Sequence, residues 1–372
     1  MDHNVTLPGN NIPPPEGEHR ASATSVEKPK SPYDEAREHI IGFRAWLNRP
    51  TTVSSEIYQK DFSVNISKRE LARLCSELFK EDRSHRFPNY SYDASTSTLV
   101  VHNMPSDVHK PIIQIIQYGF LEATRLLPDP GYFSIYVASD KKYKDFGGKY
   151  EGSTKTPDVA VLFGEERELG LAVEVGFSET YDRLIGDAKL WLEGREDVKI
   201  VLLVDITEAP SYRSPLRNPS DEEIEELELS LQTKISFNTE GDFGPITNRG
   251  LVWVGRIAAS MEVWRRDPQS GLATRHGDRM DLLPPASLSQ LEFKLSDFVT
   301  APLSDIPIRF RWDYFREELR LAMKSLAKER YRDAVSDLGG RTNAGDGPYE
   351  PGEPSKGPPQ GPLRRPARLN PA

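Results

Sequence analysis

Asp158 and Glu174 are the residues of this chain whose setting most directly suggests chemistry. Asp158 follows Pro157 at the head of the apolar run VAVLF, and Glu174 sits between Val173 and Val175 in a second apolar run. The charged segment GEERE (Gly164 to Glu168) separates the two. If GEERE is a hairpin turn centred on Glu166, Val159 faces Val173, Val161 faces Leu171, and Asp158 faces Glu174. Side chains alternate across a strand, so the apolar pairs go to one side of the sheet and both carboxylates to the other. Directly opposed residues have Cβ atoms roughly 4.5 to 5.5 Å apart, and like charges there repel. A divalent cation would remove that cost. Two carboxylates completed by water and phosphate oxygens are what proteins usually offer Mg²⁺.

The elements that must position this pair can be read from the pattern on either side. Ser178 is a good N-cap, with Glu179 and Asp182 in the first turn where the helix dipole favours them. Tyr181, Leu184, Ile185, Ala188, Trp191 and Leu192 make one buried stripe. Lys189 lies beside that stripe, where a long side chain could reach back toward the carboxylates. The run KIVLLVD, ending at Asp205, is a third, almost wholly apolar strand. Upstream, a helix from Asp107 to about Leu127 precedes the strand GYFSIYVAS (Gly131 to Ser139). From residue 107 to residue 206 the order is therefore helix, strand, strand, strand, helix, strand.

That order, with Pro-Asp opening the second strand and an apolar-Glu-apolar triplet on the third, resembles the PD-(D/E)xK nuclease superfamily. The resemblance covers residues 107 to 206, within a core domain set at residues 105 to 208. It implies an α/β class with a mixed sheet and a restriction-endonuclease-like αβββαβ core. It also implies Mg²⁺ or Mn²⁺ held by Asp158, Glu174 and the Val175 carbonyl, and hydrolysis of nucleic-acid phosphodiester bonds. The family's Lys two residues after the Glu is missing, because the motif here reads Glu174, Val175, Gly176. The run VEVGFSETYDRLIGDAKLWLEG looks like the Uma2-like branch, in which the basic residue sits on the following helix. By that resemblance Lys189 is the catalytic replacement.

Around the core, a helix is expected from Pro32 to about Leu47, and a second starts at Ser67, where Ser67 and Glu70 have capping-box spacing. These make residues 31 to 104 a helical layer, with one strand from Ser97 to Asn103. Residues 209 to 340 should add an acidic helix (Asp221 to Ser230), a long strand or bent hairpin (Gly250 to Arg266), a strand (Leu291 to Val299) and a last helix (Asp313 to about Leu338). The Pro-rich ends, residues 1 to 30 and 341 to 372, cannot bury enough apolar surface to order themselves.

Composition narrows the function classes. A net charge of −9 gives no whole-protein attraction for polyanions, so nucleic-acid contact needs a local basic patch; Lys141, Lys142, Lys144, Lys149 and Lys155 supply a candidate. One Cys and seven scattered His argue against structural zinc. The single thiol and the lack of an apolar leader or a run of about 18 apolar residues point to an intracellular, non-membrane protein. Two other readings remain. A nuclease-like fold could serve as a non-catalytic binding module, or Ser178 at a strand-to-helix turn could be a hydrolase nucleophile with His276 as its base.

Overall fold

A computed structural model describes residues 29–48, 61–78, 89–102, 107–127, 135–139, 141–177, 180–216, 235–283, 293–298 and 306–338. The two Pro-rich ends, up to residue 28 and from residue 339, and the acidic segment 221–230 lie outside the described residues.

The chain folds as a mixed α/β protein around a six-stranded sheet. In chain order its parts are α1 (Pro32–Asn48), β1 (Phe62–Asn65), α2 (Lys68–Leu78), β2 (Tyr90–Asp93), β3 (Thr98–Val101), α3 (Lys110–Arg125), β4 (Ile135–Ala138), β5 (Val159–Phe163), β6 (Glu168–Phe177), α4 (Tyr181–Gly194) and β7 (Ile200–Ala209). There follow β8 (Asn238–Thr239), β9 (Ile246–Asn248), β10 (Leu251–Val254), β11 (Arg256–Arg266), β12 (Ala273–Asp281), β13 (Phe293–Lys294), β14 (Pro307–Ile308) and α5 (Trp312–Leu338). The large sheet has the order β12-β11-β7-β6-β5-β4. Only β6 and β7 run parallel in it, as the crossover through α4 requires. The segment from α3 to β7 is thus an αβββαβ unit.

Alternation along the central strands sorts their side chains into two cores. Val159, Val161, Phe163, Leu171, Val173, Ile200, Leu202 and Val204 pack with α3 and α5 on one face. Ala160, Leu162, Ala172, Val201 and Leu203 pack with Leu184, Ala188 and Trp191 of α4 on the other. Glu174 shares the parity of Ala172 and belongs to the α4 face, while Asp158 stands one residue before β5. Val159 pairs with Val173 and Val161 with Leu171, after which a bulge moves the register so that Leu162 meets Leu169. The turn closing this hairpin uses left-handed backbone at Gly164 (φ 73°) and Arg167 (φ 53°).

The N-terminal layer is not helical alone. Besides α1 and α2 it contains a three-stranded antiparallel sheet, β1-β3-β2. One face of that sheet presents Tyr92, Leu99 and Val101 to Tyr33, Ala36, Ile40 and Leu74 of the two helices. The capping box of α2 is reciprocal: the Ser67 N–H donates to Glu70 Oε2 at 2.7 Å and the Glu70 N–H donates to Ser67 Oγ at 3.2 Å.

The stretch 250–266 divides at Gly255 into β10 and β11, which join different sheets. A Cβ at Gly255 would stand 2.6 Å from the Pro210 carbonyl oxygen, so the break needs glycine. β12, a polar and mostly exposed strand, contains His276.

Candidate active site

Asp158 stands at the entrance to β5, and its Oδ2 accepts the Val175 N–H of β6 at 2.7 Å. That bond fixes the carboxylate against the neighbouring strand beside Glu174. Glu174 is 5% exposed. Its Oε1 accepts the Trp191 indole N–H at 2.5 Å, and its Oε2 lies 3.4 Å from Lys155 Nζ. Lys155 is itself 3% exposed, and its ammonium also meets Asp187 Oδ2 at 2.6 Å. One amine therefore bridges a carboxylate of β6 and a carboxylate of α4, with Asp158 near enough to act electrostatically on Glu174 and on the amine.

Burial sets the protonation of this cluster. Loss of solvent is the largest effect on Glu174 and holds its carboxyl well above the usual range. Lys155 opposes the rise, Asp187 and Asp158 add to it, and the Trp191 N–H opposes it. Asp158 is also raised by burial, against the opposing pull of His109, the Val175 N–H, Lys155 and His102. Both acids would thus gain from a cation placed between them.

Lys155 reaches this position because its segment is stitched on both sides. Thr154 exchanges backbone hydrogen bonds with Tyr92 of the small sheet, at 2.7 and 2.8 Å. Lys155 exchanges them with Tyr143, at 2.8 and 3.0 Å. The Ser153 hydroxyl further accepts the Ala94 N–H at 2.9 Å. The residues leading into β5 are therefore a strip held between the small sheet and the Tyr143 segment, and this strip aims the lysine under α4.

Lys189, expected to supply the catalytic amine, is exposed on α4. Asp187 and Trp191 turn toward Glu174, and a residue two positions from Asp187 lies about 200° around the helix, on the far side. Helical phase, not side-chain length, separates Lys189 from the carboxylates. The helix starts after Thr180 as N-cap, rather than at Ser178, which lies outside the described residues together with Glu179. His276 is exposed on β12.

Gly176 occupies the position where the family pattern has lysine. A Cβ there would come 2.8 Å from Leu184 Cδ1 of α4. The helix has settled onto the bare backbone, and a long side chain at 176 would have to displace it.

The basic loop is largely committed to local contacts. Lys142 lies 3.8 Å above the Tyr90 ring and Lys141 5.1 Å from the Tyr143 ring, while Lys149 pairs with Glu193 at 2.8 Å. Burial, with Lys144 beside it, lowers the Lys142 amine to about 8. Lys144 is exposed, and Lys155 belongs to the buried cluster.

No family model matches the sequence, and comparison with curated proteins gives no match. Among the described residues no three His, Cys, Asp or Glu side chains converge as a ligand set, and no helix is long and apolar enough to cross a membrane. The donors that do sit together, the Asp158 and Glu174 carboxylates, are hard oxygens suited to Mg²⁺ or Mn²⁺. Such an ion would complete its shell with water, main-chain oxygen and phosphate.

Sequence reasoning missed Asp187 and the role of Lys155. The signal was present in part: Lys155 stands three residues before Asp158, on the segment that has to enter the sheet beside Glu174. What no local pattern carries is the pairing of that segment with Tyr92, which decides where the amine goes.

Proposed function

We propose that this protein is a metal-dependent phosphodiesterase acting on nucleic acid, a restriction-endonuclease-like enzyme in which Lys155 supplies the amine. The reading rests on one observation: the Asp158 carboxylate accepts the N–H of Val175, the residue next to Glu174, and a buried ammonium lies 3.4 Å from Glu174. The αβββαβ order and the Pro-Asp motif are in keeping with it. In this reading Asp158, Glu174 and the Val175 carbonyl hold Mg²⁺ or Mn²⁺, which when bound lowers the pKa of a coordinated water and neutralises phosphate charge. The Lys155 ammonium stabilises charge that develops on the phosphoryl oxygens or orients the attacking water. Asp187 pairs with that amine and aims it, and Trp191 fixes the rotamer of Glu174.

A second reading has its own observation. Both Glu174 oxygens are already engaged, one by Trp191 and one by Lys155, which suits a nuclease-like fold that serves as a non-catalytic binding module. Cleavage of single- and double-stranded DNA and RNA with Mg²⁺ or Mn²⁺ separates the two. The enzyme reading expects metal-dependent cleavage that drops at least about 100-fold in Asp158→Asn, Glu174→Gln and Lys155→Met, as removal of a positioned charge or proton donor does. Lys189→Ala should cleave like the parent. Loss of activity in Lys189→Ala would return the amine to α4. No cleavage of any substrate by the folded protein would favour the binding module, and cleavage that survives the Asp158 and Glu174 variants would belong elsewhere.

A further inference from the structure

The small sheet carries a second constellation on the face turned away from α1 and α2. Phe62 pairs with Val101, so Asp61, one residue before β1, stands across from His102, one residue after β3. Ser91 of β2 pairs with Val100 and is the diagonal neighbour of His102. The three side chains are linked in series. His102 Nδ1 lies 2.8 Å from Asp61 Oδ2, and His102 Nε2 is hydrogen-bonded to Ser91 Oγ. An ionised carboxylate can only accept, so in its neutral form the ring would carry its proton on Nδ1 and leave Nε2 to accept from the Ser91 hydroxyl. That is the polarity of a nucleophile, a base and an orienting acid, which is recognised by geometry and not by order in the chain.

The relay is held from outside as well. Arg183 of α4 places Nη2 3.5 Å from Asp61 Oδ2, and the backbone N–H of His102 donates to the Asn89 carbonyl at 2.8 Å. The imidazole and Asp61 side chains are 26% and 28% exposed, whereas Ser91 is 5% exposed. Access therefore comes from the imidazole side and suits only a small electrophile. Interior packing of the small sheet uses its opposite face, so none of the three polar residues is needed to fill that core.

We propose that Ser91, His102 and Asp61 form a serine-nucleophile site for small acyl esters, built from residues other than Asp158 and Glu174. In the first step a bond forms between Ser91 Oγ and the acyl carbon while the ester C–O bond breaks. The hydroxyl proton passes to His102 Nε2 and from there to the departing alkoxide, which leaves as the alcohol. Water then adds to the acyl-serine, again giving its proton to His102 Nε2, and the acid is released with Ser91 restored.

The test is covalent labelling of the full-length protein with a small fluorophosphonate, read by peptide mass spectrometry, alongside turnover of p-nitrophenyl acetate. A single adduct on Ser91, absent in Ser91→Ala, is expected. Labelling should slow at least about 100-fold in His102→Gln, since general-base assistance is typically worth 10²- to 10⁴-fold. It should slow by a smaller factor in Asp61→Asn. An adduct located on any residue other than Ser91, or no adduct on a protein that is folded by circular dichroism, overturns the proposal. A Ser91 adduct whose rate is unchanged in a folded His102→Gln variant overturns the relay. The labelling of the parent protein stands by itself should a variant fail to fold. Nuclease activity plays no part in the readout, so failure of this proposal and failure of the nuclease reading are told apart.

Discussion

Burial lifts the Glu174 carboxyl far above its ordinary value of 4.5, and Lys155 is the neighbour that most strongly pulls it back. The sign of the pH effect follows. Above 4.5 the folded state binds more protons at this group than the unfolded chain does. The contribution of Glu174 to stability is therefore full at low pH and is lost as pH rises toward its folded pKa. Glu174→Gln keeps an acceptor for the Trp191 indole and removes the titration. In urea denaturation of the metal-free proteins, the stability of the parent relative to Glu174→Gln should decline as pH rises above 4.5. A difference that stays constant across that range would mean that Glu174 is not buried as described. Lys155→Met should act the other way, leaving Glu174 and Asp187 without their shared ammonium. A broken buried pair of this kind costs about 3–5 kcal/mol, readable in the same denaturation experiment at pH 7.

At the level of elements, the contact between β6 and α4 decides which residues can serve the site. Gly176→Ala pushes a methyl group to within 2.8 Å of Leu184 Cδ1. Overpacking of this sort costs about 1–3 kcal/mol. Gly176→Ala combined with Leu184→Ala should cost less than the sum of the single changes, because the second creates the space that the first needs. Strict additivity in thermal or chemical melts would contradict that contact. The same elements show what the sequence made legible. The hairpin pairing of Val159 with Val173, the α4 stripe, the ends of α1 and the Ser67 capping box all follow from local chemistry and appear as expected. The phase of Lys189 could also have been counted from the sequence: the stripe positions Ala188 and Trp191 leave it on the other side of the helix. β1 and β2 were not legible, since four-residue strands in a polar stretch give too short an alternation to stand out. β12 was hidden for a related reason. Lying at the sheet edge and exposed on both faces, it has no apolar alternation.

In the whole molecule, α5 is tied to the large sheet by one buried polar joint. Arg330 Nη1 and Nη2 meet Glu208 Oε1 and Oε2 at 2.6 and 2.8 Å, and Nη1 also donates to the Trp253 carbonyl at 3.0 Å. Glu208 Oε1 accepts the Gly255 N–H at 2.7 Å, and the guanidinium lies 4.0 Å from the Tyr212 ring. The joint therefore connects β7, the β10–β11 break and the last helix. Arg330→Met should destabilise the protein by about 3–5 kcal/mol by stranding Glu208. Arg330→Lys should recover little, because an ammonium cannot make the two-pronged contact. Recovery of full stability by lysine, measured as the urea midpoint, would reduce the joint to a simple charge pair.

The strip that carries Lys155 has a consequence for how this site could arise or be moved. The two carboxylates travel with a hairpin of about twenty residues, and such a hairpin is easily imagined as a portable cassette. The amine is not portable in that sense, since the backbone beside it is shared with Tyr92, more than sixty residues upstream. Grafting the hairpin and α4 onto another scaffold would transfer the acids and leave the lysine unguided. The heritable unit of this site is therefore the hairpin together with the small N-terminal sheet, and a lineage that lost that sheet would have to recruit its cation again from elsewhere.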